Sequence, residues 1–185
     1  MDGKTILNRS EVPEEFTWDL SDVFASDEAW SEELEALKAC PERLAAYAGT
    51  LGKSAETLLE WFRLNDELNV RVSKLVQYAS CRGDQDVGNS FYQGMRSKAF
   101  SMAVALGSAG AFEASEIMAI PDETLARFYA EAPALETYRR NIEKLRRRKA
   151  HILSPECEKL LAAAGEISES PSNTFSMFHN ADMRY

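Results

Sequence analysis

Two histidines, three cysteines and two acidic pairs, Asp66-Glu67 and Asp84 with Asp86, are the side chains of this 185-residue chain that invite a chemical reading. A hydrolytic zinc site needs two histidines four apart on one helix face, with a glutamate beside the first. The imidazoles then hold the metal and the carboxylate takes the proton of its water. His151 and His179 stand 28 positions apart and neither is followed by Glu, so the H-E-x-x-H motif is absent. Cys40, Cys81 and Cys157 form no C-x-x-C pair, which argues against a zinc ribbon and against thioredoxin-like redox chemistry. Their expected state is that of small buried or half-buried thiols in a reducing compartment. Cys157 and His151 lie six positions apart across the Ser154-Pro155 helix start, with no third group to orient a nucleophile.

The acids fare no better. Asp84 and Asp86, with Asp66 and Glu67 elsewhere, could suggest paired carboxylates, but on the polar connector Gly83–Gly88 such acids read as solvated turn residues. The connector lacks the ordered oxygen positions and terminal Glu of a calcium loop. Gly52-Lys53-Ser54 resembles the end of a phosphate loop, but Tyr47 stands where its first glycine belongs and no strand pattern precedes it. The bases Arg139, Arg140, Lys144, Arg146, Arg147, Arg148 and Lys149 have no interleaved aromatics or glycines. They read as a solvated face whose charge complements a helix C-terminus, rather than as a phosphate-binding patch. Residue chemistry thus assigns no catalytic, cofactor-binding or metal-ligating residue to this chain.

What remains is a scaffold. The net charge of −9 is uneven: residues 1–69 hold 16 acids and 6 bases, residues 70–185 hold 14 and 15. That acidity speaks against nucleic acid as a partner. No run of eighteen apolar residues occurs, and Met1–Ile6 lacks the apolar core of a signal peptide, so a cytoplasmic protein without membrane contact is expected.

Apolar residues recur at helical spacing over two long stretches, Ala55–Arg82 and Asn89–Phe112. Leu58, Phe62, Leu68, Val72, Leu75, Val76 and Ala79 share one face of the first. Phe91, Met95, Ala99, Met102, Ala103, Leu106 and Ala109 share one face of the second. The short connector makes them an antiparallel hairpin. The expected class is all-α: an antiparallel helical bundle around this hairpin, with a short extended C-terminal segment.

Around the hairpin, Ser26 caps a helix with Trp30, Leu34 and Leu37 inside, and Cys40-Pro41 restarts it towards Gly49. Ser54 caps the first arm. Pro121 opens a helix burying Leu125, Phe128 and Tyr129, which stops before Pro133. Ala134–Lys149 is expected to be helical, with Leu135, Tyr138, Ile142 and Leu145 inside. Ser154-Pro155 opens another helix, with Leu160, Leu161 and Ile167 inside, ending near Ser170-Pro171. Phe16, Trp18 and Phe24 are expected to lie on the body of the fold, each burial contributing about 1.5–3 kcal/mol.

Several pieces, in this order, resemble the oligoendopeptidase F family of zinc metallopeptidases. They are Pro13–Phe24, Leu51–Ala55, Tyr78–Ser80, Asp84–Asp86, Lys149–Ser154 and Ser172–Met183. Ala150, where the family often has proline, and Gly83 are small departures. The resemblance implies a cytoplasmic zinc endopeptidase of oligopeptides, whose helical N-terminal lobe faces a catalytic lobe across a channel. It also implies that the zinc ligands and the general base lie in that other lobe, downstream of Tyr185. On this reading residues 1–25 form an extended N-terminal segment, 26–170 the helical lobe and 171–185 the start of the connection to the catalytic domain. The chain would be an N-terminal fragment that forms one channel wall and is inactive alone. Its partners would be oligopeptide substrates and the catalytic lobe. A free-standing helical module that binds peptides or proteins is the alternative.

Overall fold

The computed structural model describes residues 11–147 and 153–183, and no strand occurs among them. After a 3-10 turn at Glu14–Phe16, the chain reaches Ser26, whose Oγ accepts the Ala29 N–H at 3.3 Å. With Asp27 and Glu28 in its first turn, this cap starts α1 (Asp27–Leu37). Pro41 sits in the first turn of α2 (Cys40–Ala45), where its missing N–H costs no helical bond. The following turn ends at Gly49, whose φ of +75° suits a residue without Cβ. Ser54 then accepts the Thr57 N–H at 3.1 Å and opens α3 (Ala55–Gln85), 31 residues long and so about 46 Å at the helical rise. Asn89 caps α4 (Ser90–Ala109) by accepting the Phe91 N–H at 3.0 Å.

Shorter elements wrap this hairpin. They are α5 (Glu113–Ala119), α6 (Asp122–Glu131), a 3-10 segment Pro133–Tyr138 and α7 (Arg139–Arg147). Then come α8 (Pro155–Ala163), α9 (Gly165–Met177) and a π turn, Phe178–Asp182. Leu58, Phe62, Leu68, Val72, Leu75 and Ala79 of α3 are buried in one core with Met95, Ala99, Met102 and Leu106 of α4. Trp30 reaches in from α1 and its indole N–H donates to the Leu75 carbonyl at 2.9 Å. Trp61, absent from the sequence-derived stripe, is fully buried between Tyr47 and Phe112, with ring centroids 5.8 and 4.8 Å away. The buried arc of α3 is wider than one stripe because α1, α2, α4, α6 and the 3-10 segment all pack on it.

The structure departs from the sequence reading in five places. Gly83 does not open a turn: α3 runs through it to Gln85, because α4 covers it and the Arg96 stem lies over the vacant Cβ position. Phe16 and Trp18 are exposed, Trp18 at 87%. Only Leu20, Val23 and Phe24 of that segment reach the core, where a turn closed by Val23 and Phe24 N–H on the Leu20 carbonyl brings Phe24 edge-on to Tyr78. Phe91 points outward at the hairpin tip. The expected helix from Ala134 begins instead as the 3-10 segment, and Leu135 and Ile142 are buried as expected. Lys149 lies outside the described residues. Finally, Leu160, Leu161 and Ile167 are exposed, and α9 passes through Pro171. Proline removes the bond to the Ile167 carbonyl, a loss that water can make good on so exposed a helix.

Candidate functional site

Most of the residues singled out for chemistry turn out to be dispersed and committed to local structure. Cys40 is buried and its thiol donates to the Ala36 carbonyl at 3.9 Å. Cys81 is half-buried beside the Gln77 amide, and Cys157 is exposed, unlike the half-buried thiol expected. His151, Arg148 and Lys149 lie outside the described residues. The His179 ring stacks on Phe175 with centroids 5.5 Å apart and planes within 7°. Asp66 accepts the Tyr138 hydroxyl at 2.7 Å, Glu67 meets Arg71 at 3.4 Å, and Asp84 meets Arg96 at 3.4 Å. Ser54 spends its hydroxyl on the α3 cap. No three His, Cys, Asp or Glu side chains among the described residues converge as metal ligands.

The basic cluster does structural work that the sequence did not disclose. Arg146 donates to the Ile117 carbonyl at 3.2 Å and the Ile120 carbonyl at 2.6 Å, and pairs with Asp122. It thereby ties the C-terminus of α5 to the start of α6, a cation at the negative end of the helix, sharing the Ile117 carbonyl with the Ile120 N–H. Arg139 forks onto Glu136 and lies over the Tyr129 ring, 3.9 Å from its centroid. Arg140, Lys144 and Arg147 are exposed, as a solvated face requires.

Asp27, Tyr78 and Glu113 are also shifted by their surroundings. Asp27 accepts Arg82 Nε at 3.0 Å, Arg82 Nη2 at 2.8 Å and the Tyr78 hydroxyl at 2.8 Å. Burial works to raise this carboxyl, but the bonds from Arg82 and Tyr78 outweigh it and hold it below the usual carboxylate range. Burial and the Asp27 carboxylate push the Tyr78 phenol up to about 12. This cluster ties α1 to the far end of α3. Burial also raises Glu113, against the Trp61 indole, while Asn65 donates to its carboxylate at 3.4 Å.

Two further features face outward. One is apolar: Leu153, Leu160, Leu161, Ile167, Phe175 and Phe178, on and around α8, α9 and the π turn, are all exposed. Isolated exposed leucines need no explanation, but this many large side chains within one C-terminal segment mark a surface suited to contact. The other is a groove of about 220 Å³ between α4 and α9, lined by Gln93, Arg96, Ser97, Phe100, Glu169, Ser170 and Asn173. Sequence reading missed this groove, because α4 was read only for its buried stripe and α9 was expected to end at Pro171.

The described residues thus form an all-α unit with a long central hairpin and exposed apolar side chains on its C-terminal helices. Comparison with known proteins shows what it is similar to. A family model described as Oligopeptidase F matches residues 116–185. The chain is 42% identical over 178 residues to oligopeptidase PepF of Bacillus subtilis, covering 96% of this chain and 27% of that protein. It is 41% identical to the plasmid oligoendopeptidase F of Lactococcus lactis subsp. cremoris, again over 96% of this chain, and covers 30% of that relative. Its fold superposes on the crystal structure of oligoendopeptidase-F from Enterococcus faecium with a TM-score of 0.73 and 33% identity, covering 89% of this chain and 30% of that one. Over nearly its whole length, therefore, this chain is similar to oligoendopeptidase F proteins, and it spans under a third of the length of the proteins it matches.

Proposed function

We propose that this chain is the helical N-terminal region of an oligopeptide-hydrolysing endopeptidase, supplying one wall of the substrate channel and no catalytic group. The relatives are named as oligopeptidases and oligoendopeptidases, which supports peptides as the substrate class. The observation that carries the wall reading is the exposed apolar surface of α8, α9 and the π turn. It lies within the stretch that the family model matches, and apolar side chains of this size gain about 1.5–3 kcal/mol each when another part of the protein covers them.

Zinc enters this proposal only through the family resemblance: the His179 ring is stacked on Phe175, and no three His, Cys, Asp or Glu side chains converge among the described residues. No step of hydrolysis is assigned to this chain, and the metal and its base belong to the remaining part of such a protein. A cytoplasmic location belongs to the same proposal.

The test is an exchange. Replacing the matching part of the Bacillus subtilis relative by this chain should preserve hydrolysis of an internally quenched oligopeptide, whereas the 185-residue chain alone, with zinc added, should show none. Zinc-dependent hydrolysis by the chain alone, lost in His179→Ala, would overturn the reading. A folded but inactive exchange protein, with tight peptide binding by the chain alone, would favour the free-standing binding module.

A further inference from the structure

We infer that the groove between α4 and α9 is a subsite for the terminal carboxylate of a peptide, with the Arg96 guanidinium as its anchor. This rests on peptides being the substrate class and adds a recognition site within the proposed wall. The argument begins with unspent donors. Four arginines among the described residues have side chains under 30% exposed in their ion pairs: Arg71, Arg82, Arg96 and Arg146. Arg71 closes on Glu33 at 2.6 Å, Arg82 makes two bonds to Asp27, and Arg146 caps two carbonyls and pairs with Asp122.

Arg96 differs. Its side chain is only 28% exposed, yet its one acceptor among the described residues is Asp84 Oδ1, at 3.4 Å and on a side chain that is itself 72% exposed. A guanidinium carries five N–H donors in a fixed fork, and leaving most of them unmet in a half-buried position is unfavourable. A carboxylate is the group whose two oxygens match that fork.

The surroundings fit such a guest. The stem of Arg96 lies beside Gly83, its guanidinium sits 6.0 Å from the Phe100 ring centroid, and Arg96 and Phe100 both line the groove. Ser97, Ser170 and Asn173 add hydroxyl and amide groups on the same walls. The Gln93 amide N–H is fixed on the Val87 carbonyl at 3.0 Å, leaving its own oxygen to accept a peptide N–H. At about 220 Å³ the groove is smaller than clefts that bury drug-sized ligands, so it suits the end of a chain and not its middle. Glu169 on the other wall disfavours a second acid, so the preferred terminal residue is neutral or basic.

The experiment follows the Arg96 Nε–H resonance of the 185-residue chain by NMR during titration with three probes. These are N-acetyl-Ala-Ala with a free carboxylate, its C-terminal amide, and N-acetyl-Asp-Ala-amide, which carries a carboxylate on a side chain only. A saturable shift with the first probe alone is expected. Arg96→Lys, which keeps the charge and loses the fork, should weaken that binding about tenfold or more. Asn173→Leu, an exposed position, should weaken it without altering the thermal midpoint.

Equal shifts with the amide, or equal shifts with the side-chain carboxylate, overturn the assignment to a peptide terminus. No saturable shift, with the resonance moved by Glu169→Gln alone, assigns Arg96 to an internal pair and overturns it as well. Either failure leaves the exchange test of the wall standing, so the two readings fail separately.

Discussion

Leu75→Ala and Leu160→Ala delete the same three carbons from two helices whose sequence patterns look alike, and the structure gives them opposite outcomes. Leu75 is fully buried at the centre of α3, with the Trp30 indole bonded to its carbonyl. Truncating it removes the transfer energy of the side chain and leaves a cavity in a packed interior, so the cost should be about 2–5 kcal/mol. For a chain of this size about 2–4 °C of thermal midpoint accompanies each kcal/mol, and the fall should be on the order of 4–20 °C. Leu160 is 71% exposed. Less than a third of its surface has been taken from water, no cavity forms, and the expected cost is under about 1 kcal/mol. Thermal melts of the two variants against the parent chain decide the matter. In the exchange protein, where the remaining part is proposed to cover α8, Leu160→Ala should become as costly as a core truncation. Comparable losses for both variants in the chain alone would refute the burial argument, and a silent Leu160→Ala in the exchange protein would refute the covering of α8.

Three further outcomes are expected. Gly83→Ala should be neutral or stabilise by up to about 1 kcal/mol in urea melts, since the new Cβ meets Gln93 and Arg96 at ordinary distances of 3.8 and 4.0 Å and the helix gains propensity. A large loss would show that Gly83 serves a turn. Asp27 has a folded-state pKa below its unfolded one, so below the usual carboxylate range the unfolded chain binds the extra proton. Its stabilisation is present near neutrality and lost as pH falls through the folded value. Asp27→Asn should therefore flatten the acid limb of the stability–pH curve, and an unchanged limb would refute the Arg82–Tyr78 assignment. Glu113 has the opposite sign: its folded pKa is raised, so its favourable contribution is present in acid and disappears as pH rises through that value. Glu113→Gln should raise the thermal midpoint at neutral pH and lose that advantage in acid.

How much of this was legible beforehand depends on whether the signal was local. Ser26, Ser54 and Ser154 cap helices where their spacing said they would, because a cap needs only a hydroxyl and a free N–H a few residues on. The hairpin faces were legible for the same reason, since periodicity reports which side is covered. What covers a face is not local. Trp61 was missed because α3 is packed from several sides, and Gly83 was misread because the helix through it is held by α4. Leu160 and Trp18 were misread in the other direction: apolarity says that a side chain gains from burial, not that this chain supplies the cover. The candidate groove was invisible for a related reason, being the meeting of Arg96 with residues more than seventy positions away.

The three tryptophans also make the fold observable by light. Trp30 and Trp61 are sealed in the core, the first against α3 and the second between the hairpin and the turn before α5, while Trp18 stands almost free. Iodide should quench the Trp18 emission and leave the blue-shifted emission of the other two. One fluorescence spectrum thus separates the surface lead-in from the interior. A change confined to the quenchable component would signal that something has come to rest on the Trp18 segment while the helical body stayed closed.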